Sequence, residues 1–166
     1  DVARIDSKDM GPAVWRPLLQ AISQAQERSD VQAVVITHGT DTIEETAWFL
    51  QAVLQPQKPV VMVCAMRPAS SHEADGPQNL RDAFAVSAQA QAAGVSVVCA
   101  GVIHSARHVQ KVHPYRLDAF SSGDAGPLGW VSEGQVRWSA THSTDAAPSD
   151  IDFSKGLLDT EVNQWP

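Results

Sequence analysis

Three short apolar runs alternate with segments of helical period, and this alternation constrains the fold more than any other feature of the chain. The runs at 33–37, 60–64 and 95–99 are rich in valine, as strands buried on both faces are. Pro12 opens a helical segment reaching about Arg28, with Trp15, Leu18, Leu19 and Ile22 at helical spacing. A second helix is read over 43–54. A third runs from about Gln78 to Ala92, with Leu80, Phe84 and Ala88 on one face and Gly94 as its C-cap. Strands and helices in this order predict parallel βαβ units, hence an α/β domain with a mostly parallel sheet flanked by helices. Val2-Ala3-Arg4-Ile5 reads as a further short strand. A β-hairpin is expected near 126–138, turning at Ser132-Glu133-Gly134. From Thr141 the chain is polar and rich in Pro and Asp, and reads as the approach to a linker.

The most informative string is Thr37-His38-Gly39-Thr40-Asp41-Thr42, between the strand at 33–37 and the helix at 43–54. In a parallel sheet this turn lies at the carboxyl end of a strand, where such folds bind ligands. Backbone N–H groups at a helix start can face an anion or a developing oxyanion. One reading is a cap: Thr40, Asp41 or Thr42 opens the helix, and Glu44 and Glu45 suit its first turn. Capping accounts for one of these residues. A functional turn accounts for the glycine beside a Thr-Asp pair as well.

Composition narrows the function. The 166 residues suit one domain, and 19 acidic against 12 basic side chains give a formal net charge of −7. An acidic chain without a basic run argues against nucleic acid as a partner. No apolar stretch approaches the roughly 18 residues of a membrane helix. The chain opens on Asp1 rather than methionine, and a preceding segment is expected outside it. Cys64 and Cys99 each end an apolar run and read as buried free thiols, near neighbours in one sheet, which favours the cytoplasm over an oxidising compartment.

The remaining polar clusters point less clearly. His104, His108 and His113 do not have the spacing of a compact zinc motif, so surface or hydrogen-bonding roles are expected and no metal is assigned. No phosphate loop and no dinucleotide fingerprint occurs, so no organic cofactor is assigned. Arg67 either binds an anionic substrate or holds its loop by carboxylate pairing, with Asp75 the candidate partner. Lys111 is either a solvated lysine or, if buried beside a carboxylate and a threonine, a group able to take a proton from a hydroxyl or water.

Several strings together resemble one family. They are Ile36-Thr37-His38-Gly39-Thr40-Asp41-Thr42 with Glu44-Glu45-Thr46-Ala47; Lys58-Pro59-Val60-Val61 leading to Ala65-Met66-Arg67-Pro68; Ala74-Asp75-Gly76-Pro77 with Asn79-Leu80; Asp6-Ser7 with Asp9-Met10; Lys111; and Gly126-Pro127-Leu128-Gly129. In order and gap they are similar to the amino-terminal domain of bacterial-type L-asparaginases, which include glutaminase-asparaginases. The resemblance implies hydrolysis of L-asparagine, with L-glutamine as second substrate, through a threonine acyl-enzyme and without metal or cofactor. It implies catalytic roles for Thr40, Asp41 and Lys111. It implies substrate binding by Ser7, Gly39, Thr40, Asp41 and the carbonyl of Ala65. It also implies a homotetramer built as a dimer of dimers.

The chain departs from that pattern in places. No Thr-Gly-Gly-Thr string occurs, so the family's first strand, its first threonine and the lid loop behind it are missing from 1–166, as is the C-terminal domain. Lys8 stands where glutamine is common in the periplasmic type, and Gln57 stands near a half-cystine of that type. Two other functions fit less well: an asparaginase-like subunit of a tRNA-dependent amidotransferase, and a non-catalytic amino-acid-binding or interaction module.

Overall fold

The computed structural model describes residues 1–140. Helix α1 (Pro12–Glu27) starts with proline in its first turn after Gly11, where a missing N–H costs nothing. Its buried face carries Leu18, Leu19 and Ile22. Strand β1 (Val34–Thr37), helix α2 (Ile43–Leu54), strand β2 (Val60–Val63), helix α3 (Gly76–Ser87) and strand β3 (Val95–Cys99) follow. β1, β2 and β3 are parallel neighbours, with Val34 opposite Val60 and Val60 opposite Val95.

Five more strands alter the second half. β4 (Val102–Ser105), β7 (Gly129–Ser132) and β8 (Gln135–Trp138) extend the same sheet antiparallel, in the order β1-β2-β3-β4-β7-β8. β5 (Gln110–Lys111) and β6 (Phe120–Ser121) form a separate two-stranded ribbon. The sheet is therefore mixed, with its βαβ part at β1–β3. Glu133 and Gly134 both take positive φ (52° and 74°), the conformation of a two-residue I′ hairpin, so the expected hairpin forms between β7 and β8.

The core lies on both sheet faces. One cluster joins α1 and α2 to Val60, Met62 and Val97; the other joins α3 to Val61, Val63, Val98 and Ile103. α1 and α2 are locked by the Trp15 indole N–H donating to Thr46 Oγ1 at 3.1 Å and by Trp15 stacking on Phe49 at 4.7 Å.

Three expectations are corrected. Residues 2–5 form no strand: among the described residues no strand pairs with them, and Val2 and Ile5 are exposed. The third helix ends at Ser87, followed by a short 3-10 turn (Ala90–Ala92), so Gly94, at φ 94°, closes that turn rather than α3. Its buried face is Asn79, Asp82, Ala83 and Val86, with Phe84 and Ala88 outside. The apolar period misled because two positions facing the sheet carry polar side chains, each satisfied by hydrogen bonds. The linker reading from Thr141 lies outside the described residues.

Candidate active site

The turn after β1 is built on Ser7. A short 3-10 turn (Ser7–Asp9) is capped by Asp6 and buries Ser7 against the turn. Asp41 N–H donates to Ser7 Oγ at 3.2 Å, and Thr42 Oγ1 donates to the Ser7 carbonyl at 2.6 Å. A Cβ at position 39 would lie 2.4 Å from Ser7 Oγ and 2.6 Å from its Cβ. Glycine is required there by close approach, not by helix capping. Thr42 occupies the N-cap position, yet its hydroxyl faces Ser7 and caps no helical N–H. The cap reading of this turn therefore fails. His38 donates through Nδ1–H to the Gly39 carbonyl at 2.7 Å, and burial lowers its pKa.

Lys111 reaches this turn from the ribbon. β5 pairs Lys111 with Phe120 of β6, which is anchored in the first core cluster. The chain after β4 thus returns across the strand ends. Lys111 Nζ donates to Thr40 Oγ1 at 2.8 Å and to Asp41 Oδ1 at 2.7 Å. The two acceptors are 3.5 Å apart. The lysine side chain is only 18% exposed, whereas Asp41 is 54% exposed. A shielded ammonium thus bridges a hydroxyl and a carboxylate that opens to solvent. The solvated-lysine reading is overturned. The backbone N–H of Lys111 donates to a carboxylate oxygen of Glu44, in the first turn of α2.

Ala65 lies two residues beyond β2 and is exposed. Its neighbours are clamped. Asp75 accepts from the N–H groups of Met66 and Arg67, both at 2.9 Å. Asn79 donates to the Cys64 carbonyl at 2.9 Å and to Asp75 at 3.0 Å, and accepts from Ala100 N–H at 3.0 Å. The Arg67–Asp75 link is thus made by the Arg67 backbone. Its guanidinium donates instead to the Tyr115 carbonyl at 2.6 Å. β2 connects to the turn through His38 N–H donating to Val63 O at 2.9 Å.

Ser7, Gly39, Thr40, Asp41 and Lys111 therefore meet at one place. Ala65 stands at the end of the adjacent strand, with no direct bond to them. Glu44 and Asn79 were missed in the sequence, whereas Asp75 was read as the loop's carboxylate partner, though through the Arg67 guanidinium rather than its backbone. Their signal was weak: Glu44 looked like any acidic first-turn residue, and Asn79 sits one turn from Asp75 on a face that apolar spacing placed elsewhere.

Other polar groups are ordinary. His104 is buried against Ser122 Oγ at 2.8 Å, and burial pushes its pKa down to about 4. His113 accepts from the backbone N–H groups of Tyr115 and Arg116. Among the described residues no group of three or more His, Cys, Asp or Glu could hold a metal. Cys64 and Cys99 are buried free thiols, and the neighbouring Cys99 thiol together with burial pushes the Cys64 thiol far up and keeps it neutral. Buried and neutral, Cys64 lacks the activation a nucleophile needs.

A hydroxyl, a carboxylate and a shielded lysine at the carboxyl end of a parallel strand have the composition of an acyl-transfer centre. The family model described as "Asparaginase, N-terminal" matches residues 1–144, so the chain belongs to the asparaginase family. It is 40% identical over 156 residues to L-asparaginase 2 of Escherichia coli, covering 90% of this chain and 44% of that protein. It is 41% identical over 137 residues to a probable periplasmic L-asparaginase of Haemophilus influenzae, covering 81% of this chain and 39% of the relative. The crystal structure of a probable cytoplasmic L-asparaginase from Campylobacter jejuni superposes with TM-score 0.80 at 44% identity, over 83% of this chain and 44% of the other. The chain thus spans somewhat less than half the length of these relatives.

Proposed function

We propose that this chain forms the amino-terminal catalytic part of an enzyme that hydrolyses L-asparagine to L-aspartate and ammonia, with L-glutamine as second substrate. The bridging of Thr40 and Asp41 by Lys111 Nζ, at 2.8 and 2.7 Å, carries the reading. In it, a threonine hydroxyl attacks the side-chain amide carbon, the C–N bond breaks, and ammonia leaves with the hydroxyl proton. Water then cleaves the β-aspartyl ester and returns the proton. Lys111, Thr40 and Asp41 move these protons, the lysine acting as base when neutral. Exposed Asp41 suits the substrate ammonium, while Ser7 and the Gly39 turn suit its carboxylate. The Ala65 carbonyl accepts from the leaving amide, and Thr40 N–H serves the oxyanion.

The acyl-forming threonine, in this reading, is carried on a further strand outside 1–166. Support comes from the edge of β1, which among the described residues pairs only with β2. Val34 N–H bonds Pro59 O and His38 N–H bonds Val63 O, so by alternation Val35 and Thr37 turn their backbone groups the other way. There a groove of about 310 Å³ runs between β1, α1 and residues 1–5. The His38 Nε2 atom is buried and has no hydrogen-bond partner among the described residues, and His38 lines that groove. An added strand would supply both the missing backbone partners and a threonine beside Thr40.

Ammonia release from asparagine by the full-length protein, with Lys111→Met as control, tests the function. Turnover by wild type and none by the variant is the expected result; equal turnover in both would reject the assignment. The amidotransferase-subunit and non-catalytic readings are not favoured, and tRNA-independent turnover separates them from the enzyme. The complete enzyme is proposed to be a dimer of dimers, tested by sedimentation. Its proposed compartment is the cytoplasm, on the buried free thiols Cys64 and Cys99.

A further inference from the structure

The backbone of Lys111 is held by a side chain that the reaction itself does not call on. We propose that Glu44 is the positioning residue for Lys111, fixing the height of its ammonium above Thr40; this rests on the function proposed above.

Lys111 lies on β5, a strand of two residues paired only with β6. Such a ribbon is too short to fix a side chain by its own ladder. The backbone N–H groups next after Lys111 are those of Val112 and His113, which reach Ala119 O. These hold the ribbon to itself and not to the sheet. The bond from Lys111 N–H to Glu44 crosses from ribbon to helix. It begins on α2, whose Ile43, Ala47 and Leu50 are fully buried. Thr40, Asp41 and Glu44 are all carried by the β1–α2 turn and the first turn of α2. One rigid unit therefore holds the lysine backbone with Glu44 and its ammonium with Thr40 and Asp41. The lysine is gripped at both ends by this unit, which adds to the anchorage that the ribbon takes from Phe120 in the core.

A helix-start role alone would ask only for negative charge near the N-terminus. The direct bond asks for an acceptor at that reach, whatever its charge. Glutamine meets the second demand without the charge. Aspartate meets the first but falls one methylene short of the second. Ala, Gln and Asp at position 44 therefore separate positioning from capping.

The experiment uses the full-length protein with Glu44→Ala, Glu44→Gln and Glu44→Asp. Asparagine-dependent ammonia release gives kcat and KM, thermal melting gives stability, and crystal structures give the Lys111 Nζ position. For Glu44→Ala and Glu44→Asp, kcat should fall roughly ten- to a hundredfold, as misplacement by about 1 Å does. KM should change little, and Nζ should leave hydrogen-bond distance of Thr40. Glu44→Gln should keep kcat within about threefold and Nζ in place. If Glu44→Ala does not fold, the Asp and Gln pair decides. Wild-type kcat in Glu44→Asp with Nζ unmoved, or equal impairment in Gln and Asp variants, would overturn the proposal. A wild type that releases no ammonia would reject the enzymatic reading, and the Nζ positions would still decide whether Glu44 places the lysine.

Discussion

Thr40, Asp41 and Lys111 come from positions about seventy residues apart, and only the fold makes them a site. Lys111→Met retains the methylene stem and removes the donor to both acceptors. Turnover should fall by about 10²–10⁴-fold or more, as loss of an acid–base group does, while the melting temperature shifts little; an ammonia assay and a melting curve check both halves. Gly39→Ala should act the other way. The new methyl would meet Ser7 at under 3 Å. Overpacking of this kind costs about 1–3 kcal/mol, and displacement of Ser7 should raise KM for asparagine; denaturant unfolding and steady-state kinetics measure these separately. His104 gives a pH dependence. Its imidazole stays neutral in the fold down to about pH 4, whereas in the unfolded chain it protonates below its ordinary 6.5. Between those values the unfolded state binds more protons, so stability falls as pH is lowered from about 6.5 to 4, by on the order of 3 kcal/mol at most. His104→Gln should flatten that part of the melting-temperature profile relative to wild type.

At the scale of elements, the sequence was legible where one period dominated. α1, α2 and the three parallel strands follow from apolar spacing and from Pro12. α3 was legible in existence but not in orientation, because Asn79 and Asp82 face inward and earn their burial through hydrogen bonds. The ribbon of β5 and β6 was illegible: two-residue strands have no period, and their place is set by Phe120 in the core and by contacts to α2. For the same reason Lys111 stayed open between a solvated and a functional lysine until the family resemblance favoured the second. Gly129 illustrates a tight element. A Cβ there would lie 2.4 Å from the Arg137 carbonyl, inside the β7–β8 ladder. Gly129→Ala should separate the two strands and destabilise the domain by about 1–3 kcal/mol, read by unfolding in urea.

For the whole molecule, the β1 edge is the open question of assembly. An apolar strand whose outer backbone groups have no partner strand among the described residues, beside a groove, invites pairing with another chain. Chain 1–166 alone is therefore expected to self-associate and to release no ammonia, and sedimentation with an activity assay checks this; a monodisperse monomer with turnover would point to Thr40 itself as nucleophile. The Asn79 amide has a different reach. It is 2% exposed and holds the ends of β2 and β3 and, through Asp75, the backbone of Met66 and Arg67. Those segments have no independent way to open. In native-state hydrogen exchange, the amides of Met66, Arg67 and Ala100 should share a single opening free energy, and Asn79→Ala should lower it for all three together.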